Sequence, residues 1–169
     1  RPIGASGTCV ACAMEGTRPV LAEVQALVTR TSLNVPRRAA DGFDFNRATL
    51  LLAVLEKRGG MNLSGCDVYL NVIGGLRLDE PAADLPVALA IASSFRDKPV
   101  PDQLAAVGEI GLTGEIRSVS ELPKRLTEIS RLGFTSCIIP KRGTDALKAP
   151  AGMQLLRVRT LREAIEATL

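Results

Sequence analysis

Between Cys9 and Ala167 short apolar runs of strand length alternate with amphipathic runs of helical length, and this alternation is what most narrows the architecture open to the chain. Residues 9–14 and 19–28 read as two apolar strands joined by the turn-forming Glu15-Gly16-Thr17, hence a hairpin. Residues 29–44 are rich in Pro, Arg, Ser and Asn and read as a surface loop. Asp44 or Asn46 then caps an apolar helix over 47–58, which Gly59-Gly60 stops. Residues 66–73 read as a buried strand ended by Gly74-Gly75. Pro81 opens the most regular helix, with Leu85, Ala88, Leu89 and Ala92 on one stripe and residues 97–101 as its end. Strands over 105–110 and 115–119 flank Thr113-Gly114, and a helix over 121–132 closes at Gly133 in the left-handed conformation. A strand over 136–139, a short helix over 144–148, a strand over 154–158 and a helix over 161–167 complete the series. The expectation is one α/β domain over 1–169, with mixed sheets packed by helices.

Composition limits the chemistry. Aromatic residues make up 3% and Trp is absent, so the core must be aliphatic and base-stacking platforms are poorly supplied. The formal charge of +3 is mild, and any nucleic-acid contact would be mainly electrostatic. No apolar run approaches the roughly 18 residues needed to span a bilayer, and the first residues lack a signal-peptide core, so the expected setting is soluble and cytoplasmic without a membrane partner. With no His in the chain, Ser-His-Asp and Cys-His catalysis and the commonest metal ligand are all removed, leaving Lys or carboxylates for any catalysis. Cys9 and Cys12 form a CxxC, but residues three apart on a strand face opposite sides and no second ligand pair follows. They read as half-buried strand residues, and no metal is expected. No phosphate-binding glycine loop of the Walker type occurs, since Gly74-Gly75 is too short to cradle phosphates.

Two motifs in fixed order resemble the peptidase domain of the Lon family. Lon carries its nucleophilic serine in Asp-Gly-Pro-Ser-Ala-Gly at a helix start, and its lysine in a helix beyond a Gly-Glu-(apolar)-x-Leu-x-Gly hairpin. Here Asp79-Glu80-Pro81-Ala82-Ala83-Asp84 keeps Asp79, Pro81 and Ala83 but has Ala82 at the serine position, and Gly108-Glu109-Ile110-Gly111-Leu112-Thr113-Gly114 matches the hairpin. In that register the lysine position falls on Pro123, with Lys124 about 100° further around the helix. The resemblance implies the Lon peptidase-like fold, of the ribosomal protein S5 domain 2-like type, with Ala82 and Pro123 as vestigial positions facing one shallow site. A methyl group cannot attack a carbonyl and proline offers no amine, so neither half of a Ser-Lys dyad survives.

Within the Lon-like set, Glu80-Pro81-Ala82-Ala83-Asp84, Phe43-Asp44-Phe45-Asn46-Arg47 and Asn71-Val72-Ile73-Gly74-Gly75 are similar to the C-terminal domain of a family of bacterial recombination and repair ATPases. That resemblance implies a non-proteolytic domain of a homo-hexameric, DNA-dependent motor that branch-migrates recombination intermediates with the RecA recombinase. It also implies that residues 1–7 are a linker from an ATPase core, with ATP, Mg and Zn held there and no cofactor in this domain. DNA in a ring needs positive charge on the wall, and the candidates by position are Arg37 and Arg38 in the loop, Arg77 beside Asp79, and Arg96 with Lys98 beyond the central helix. Each is equally readable as a solvated surface charge. Two rival readings stand beside this one. The first is an assembly scaffold without DNA contact. The second is a peptidase with a relocated dyad from Ser120 and Lys124, or with Ser93-Ser94, although Ser120 reads first as a helix cap.

Overall fold

The computed structural model describes residues 4–169; of the expected linker, residues 1–3 lie outside the described residues. The hairpin forms from β1 (Thr8–Glu15) and β2 (Arg18–Arg30), antiparallel from Thr8 opposite Gln25 to Glu15 opposite Arg18. Gly16 takes the positive φ of 62° that the turn requires. Inside the segment read as loop, Arg38–Asp41 forms strand β3, parallel to β4 (Cys66–Val72). Four residues with two charges carry no alternation strong enough to mark a strand. The edge of β4 supplies the pairing instead.

Helix α1 (Phe45–Gly59) is capped by Asp44, whose side chain accepts from the Arg47 amide at 2.9 Å, which decides between the two capping candidates. It ends on Gly60 in the left-handed region. Residues 81–83 form a single 3-10 turn that feeds α2 (Asp84–Arg96), and Asp97 ends it at φ 53°. Residues 84–93 are all buried, so this helix is wrapped on every side rather than along one stripe. The sequence allows that, because Asp84 is the only charged residue before Arg96.

The stretch read as one strand over 105–110 divides into β5 (Leu104–Ala106) and β6 (Glu109–Ile110), and β7 (Ile116–Arg117) is shorter than expected. The break falls where Val107 donates to Ile138 O and Gly108 turns to bond residues 82 and 85. Helix α3 (Leu122–Arg131) starts after Glu121, whose φ is 57°; Ser120 does not cap it, because its carbonyl and hydroxyl oxygens are taken by Arg125. Strands β8 (Ser136–Pro140) and β9 (Gln154–Val158) run parallel, and α4 (Leu161–Thr168) starts on a Thr160–Glu163 capping box. Residues 144–148 form turns, not a helix: the Arg157 guanidinium binds the carbonyls of Thr144 and Leu147 that a helix would have used.

The strands make one seven-stranded sheet in the order β3-β4-β2-β1-β5-β8-β9, with β6-β7 as a separate ribbon. Mixed α/β with helices on the sheet is therefore the observed class, as the sequence indicates. Cys9, Ala11 and Ala13 face the larger core with α1, α2 and α4, while Val10 and Cys12 face the smaller one under α3. Cys9 and Cys12 thus lie on opposite faces, as their spacing requires. Among the described residues, no helix is long and apolar enough to cross a membrane.

Replacing Asp44 by Ala removes the cap that fixes the entry of α1, and we expect a loss of about 1 kcal/mol in urea unfolding with the slope unchanged. An unchanged midpoint would show that the cap is dispensable.

Candidate functional site

The segment from Asp79 to Asp84 is held at both ends by an arginine. Asp84, fully buried at the start of α2, accepts from Arg47 Nε at 2.9 Å, from Arg47 Nη2, and from the Ile110 amide at 3.0 Å. Arg47 also donates to Ile110 O at 2.9 Å, so one ion pair ties α1, α2 and β6 together. The hydrogen bond to Asp84 raises the Arg47 pKa above its usual value. A carboxylate in the first helical turn also meets the positive end of the α2 dipole.

At the other end, Glu80 accepts from the Met14 amide at 3.2 Å and from Nη1 and Nη2 of Arg125. Arg125 is 1% exposed, and its remaining donors reach Cys12 O at 2.8 Å, Ser120 O at 2.8 Å and Ser120 Oγ at 3.4 Å. All five N–H groups of the guanidinium are engaged, which is the condition for a buried charge to be tolerated. Between the two pairs, Ala82 is buried; its carbonyl accepts from the Gly108 amide at 3.1 Å, and Leu85 N donates to Gly108 O at 3.0 Å. A Cβ at Gly108 would stand 2.9 Å from Ile116 Cγ2, so this crossing point requires glycine.

Beside the segment lies a cleft of about 390 Å³ lined by Phe43, Arg47, Arg77, Asp79, Glu80 and Asp84, among others. Pro123 is not on it: it lines a different cleft with Leu122, Arg142 and Leu147. Ala82 itself is buried and is not among the residues that line either cleft. The basic side chain that α3 sends to the motif is Arg125. It stands on the buried stripe with Leu122, Leu126 and Ile129, and a charge at a core position of an amphipathic helix was the signal available in the sequence. The relocated dyad does not assemble either. Lys124 Nζ pairs with Glu121 at 3.3 Å, while Ser120 Oγ lies against Arg125. Ser93 Oγ accepts from the Gly7 amide and donates to Lys98 O, and Ser94 Oγ accepts from the Val28 amide, so both serve the backbone.

The basic candidates divide. Arg38 is committed to structure, with Nε on Cys66 O at 3.3 Å and Nη2 on Leu63 O at 2.8 Å. Arg77 pairs with Asp79 at 2.7 Å on the surface. Arg37 is exposed and its amide donates to Asp67 at 2.7 Å, the main reason that the Asp67 carboxyl sits below its ordinary value. Arg96 and Lys98 are exposed and have no ion pair among the described residues. Burial pushes the Cys12 thiol up to about 12 and raises Cys137 too, so neither supplies a thiolate near neutral pH.

A family model described as subunit ChlI of Mg-chelatase matches residues 44–143. The DNA repair protein RadA of Streptococcus pneumoniae is 50% identical over 163 residues, which cover 96% of this chain and 39% of that protein. RadA of Halalkalibacterium halodurans is 50% identical and that of Bacillus subtilis 47% identical, each over 169 residues that make up 37% of the relative. The chain spans less than two-fifths of the length of these relatives.

Arg125→Met should leave Glu80 without its cation and cost about 3 kcal/mol in urea unfolding, whereas Arg125→Met with Glu80→Leu should recover most of the loss. Equal costs in the two variants would mean that the pair is not the source. Thiol titration with an aromatic disulfide at pH 8 should modify Cys66 alone in the native chain and all four cysteines after unfolding, since the other three are buried. Fast native modification of Cys12 would contradict its burial.

Proposed function

The chain belongs to the family described as subunit ChlI of Mg-chelatase, and from that membership and its half-identity to part of RadA we propose that it is the non-proteolytic, Lon-like domain of a DNA repair ATPase, supporting ring assembly and binding DNA. The observation that carries the repair reading is the identity of about 50% over the whole chain to proteins named for DNA repair. The family description belongs to the chelatase subunit, and no chelatase step is taken from it.

The loss of proteolysis follows from two residues. Ala82 has a methyl group where Lon has its nucleophile, and the cation beside this segment is an arginine with every donor engaged. A guanidinium stays protonated at any physiological pH and cannot act as the general base that an attacking serine needs. In the longer protein, ATP and Mg would act in a separate core, Zn would sit in a finger, and a homo-hexamer would work with RecA on branched DNA in the cytoplasm. Residues 1–7 would be the linker from that core. Exposed Arg37, Arg96 and Lys98 support phosphate contact by this domain. The scaffold reading has its own support, since two of the five basic candidates, Arg38 and Arg77, are already engaged within the chain.

Fluorescence anisotropy of labelled single-stranded DNA with this chain, titrated in salt, tests the reading. We expect weak, sequence-independent binding whose log affinity falls linearly with log salt. Binding absent at low salt would leave the scaffold reading in its place. Ala82→Ser alone should give no adduct with a serine-directed fluorophosphonate and no casein hydrolysis; either signal would show that a base reaches position 82.

A further inference from the structure

Three arginines far apart in sequence come together in a cleft that none of the five candidates lines. Arg117 ends β7, Arg142 follows β8 and Arg159 follows β9. Two backbone bonds enforce their approach: Ile116 N donates to Arg159 O at 2.8 Å, and Lys141 N donates to Val158 O at 2.9 Å. With Ser118 and Glu115 they line a cleft of about 560 Å³. Arg142 and Ser118 also line the adjoining cleft of about 420 Å³ at the start of α3, so the two clefts of this groove meet at these residues.

Its charges are unequally committed. Arg117 is shared by Glu115 at 3.0 Å and Glu109 at 3.7 Å. Glu115 is itself fixed: Thr113 donates to its carboxylate and holds it down to about 2, so it stays ionised. Glu163 is occupied as a cap, accepting from the amides of Arg159 and Thr160. Arg142 and Arg159 are exposed and have no ion pair among the described residues. Two uncommitted forks on the wall of an open groove, beside a hydroxyl, match the geometry of phosphate oxygens better than that of any apolar ligand.

We infer that this groove, through Arg142 and Arg159 with Ser118, is a phosphate-binding track for the backbone of a single nucleic-acid strand. The inference rests on the DNA-binding reading and gives it a place that the sequence candidates do not. Length is the argument for a strand over a lone phosphate. Two clefts in series with Arg142 at their junction offer successive sites to a linear polyanion.

The test compares the 169-residue chain with two variants, Arg142→Glu/Arg159→Glu and Arg37→Glu/Arg96→Glu/Lys98→Glu, by salt-titrated anisotropy of a labelled thymidine oligonucleotide, with circular dichroism melts to confirm folding. The groove variant should bind at least tenfold more weakly with a salt slope shallower by about two, and should lose more affinity than the other variant even though that one reverses three charges against two; a larger loss in the other variant overturns the placement. Unchanged affinity in the groove variant overturns the inference while leaving DNA binding intact. No salt-dependent binding by wild type would instead sink the DNA reading itself. Displacement of the oligonucleotide by ATP at equal phosphate concentration would identify a free nucleotide as the ligand and overturn the strand assignment.

Discussion

The two ion pairs at the ends of the Pro81–Ala83 turn, each with one buried partner, are the constraint on which the arrangement of this molecule depends. Asp84 joins α2 to α1 and β6 through Arg47, and Glu80 joins the same segment to β1 and α3 through Arg125. Helices on opposite faces of the sheet are thereby fixed to one six-residue stretch. A buried ion pair adds little net stability over an apolar contact of the same shape, because desolvation offsets the attraction. Its effect is on specificity: each carboxylate accepts only in one geometry, and each arginine must find all its acceptors there.

Glu80 and Asp84 flank Ala82 within one short turn, and the residues that fix the segment also set its chemistry. Ala82 offers a methyl group, while Glu80 and Asp84 draw arginines into the space around it. A catalytic base must be able to lose a proton and move toward its substrate, and Arg125 with five engaged donors can do neither. The frame of strand, turn and helix is kept by backbone bonds at Gly108, which do not depend on the side chain at position 82.

Charge on this domain is distributed by the same logic. Arginines near strand ends or in the core are used to satisfy carbonyls, as with Arg38, Arg125 and Arg157. Those in late loops, Arg142 and Arg159, keep their donors facing solvent. The net charge of +3 therefore conceals two populations, and the second, which exposed Arg37, Arg96 and Lys98 join, is the one available to a partner.

Most helices and the opening hairpin were legible in the sequence, because their periodicity, caps and glycine stops are local signals: Asp44 before α1, Gly133 after α3, Gly16 in the first turn. The absence of an oxygen or sulfur at position 82 was equally plain, since it depends on one residue. Strand β3 was hidden, because its stability comes from the edge of β4 and not from its own four residues. The failure of a helix at 144–148 was hidden too, because Arg157 competes for its carbonyls from another strand. Above all, the sequence puts Arg125 on the apolar stripe of α3 but does not say which acceptors it meets there. Pro123, Lys124 and Arg125 are neighbours in the chain, and helix rotation against the sheet turns the first to a separate cleft, the second to Glu121 and the third to Glu80. That choice, like the meeting of Arg117, Arg142 and Arg159, is made by long-range backbone pairing and packing, which no local pattern records.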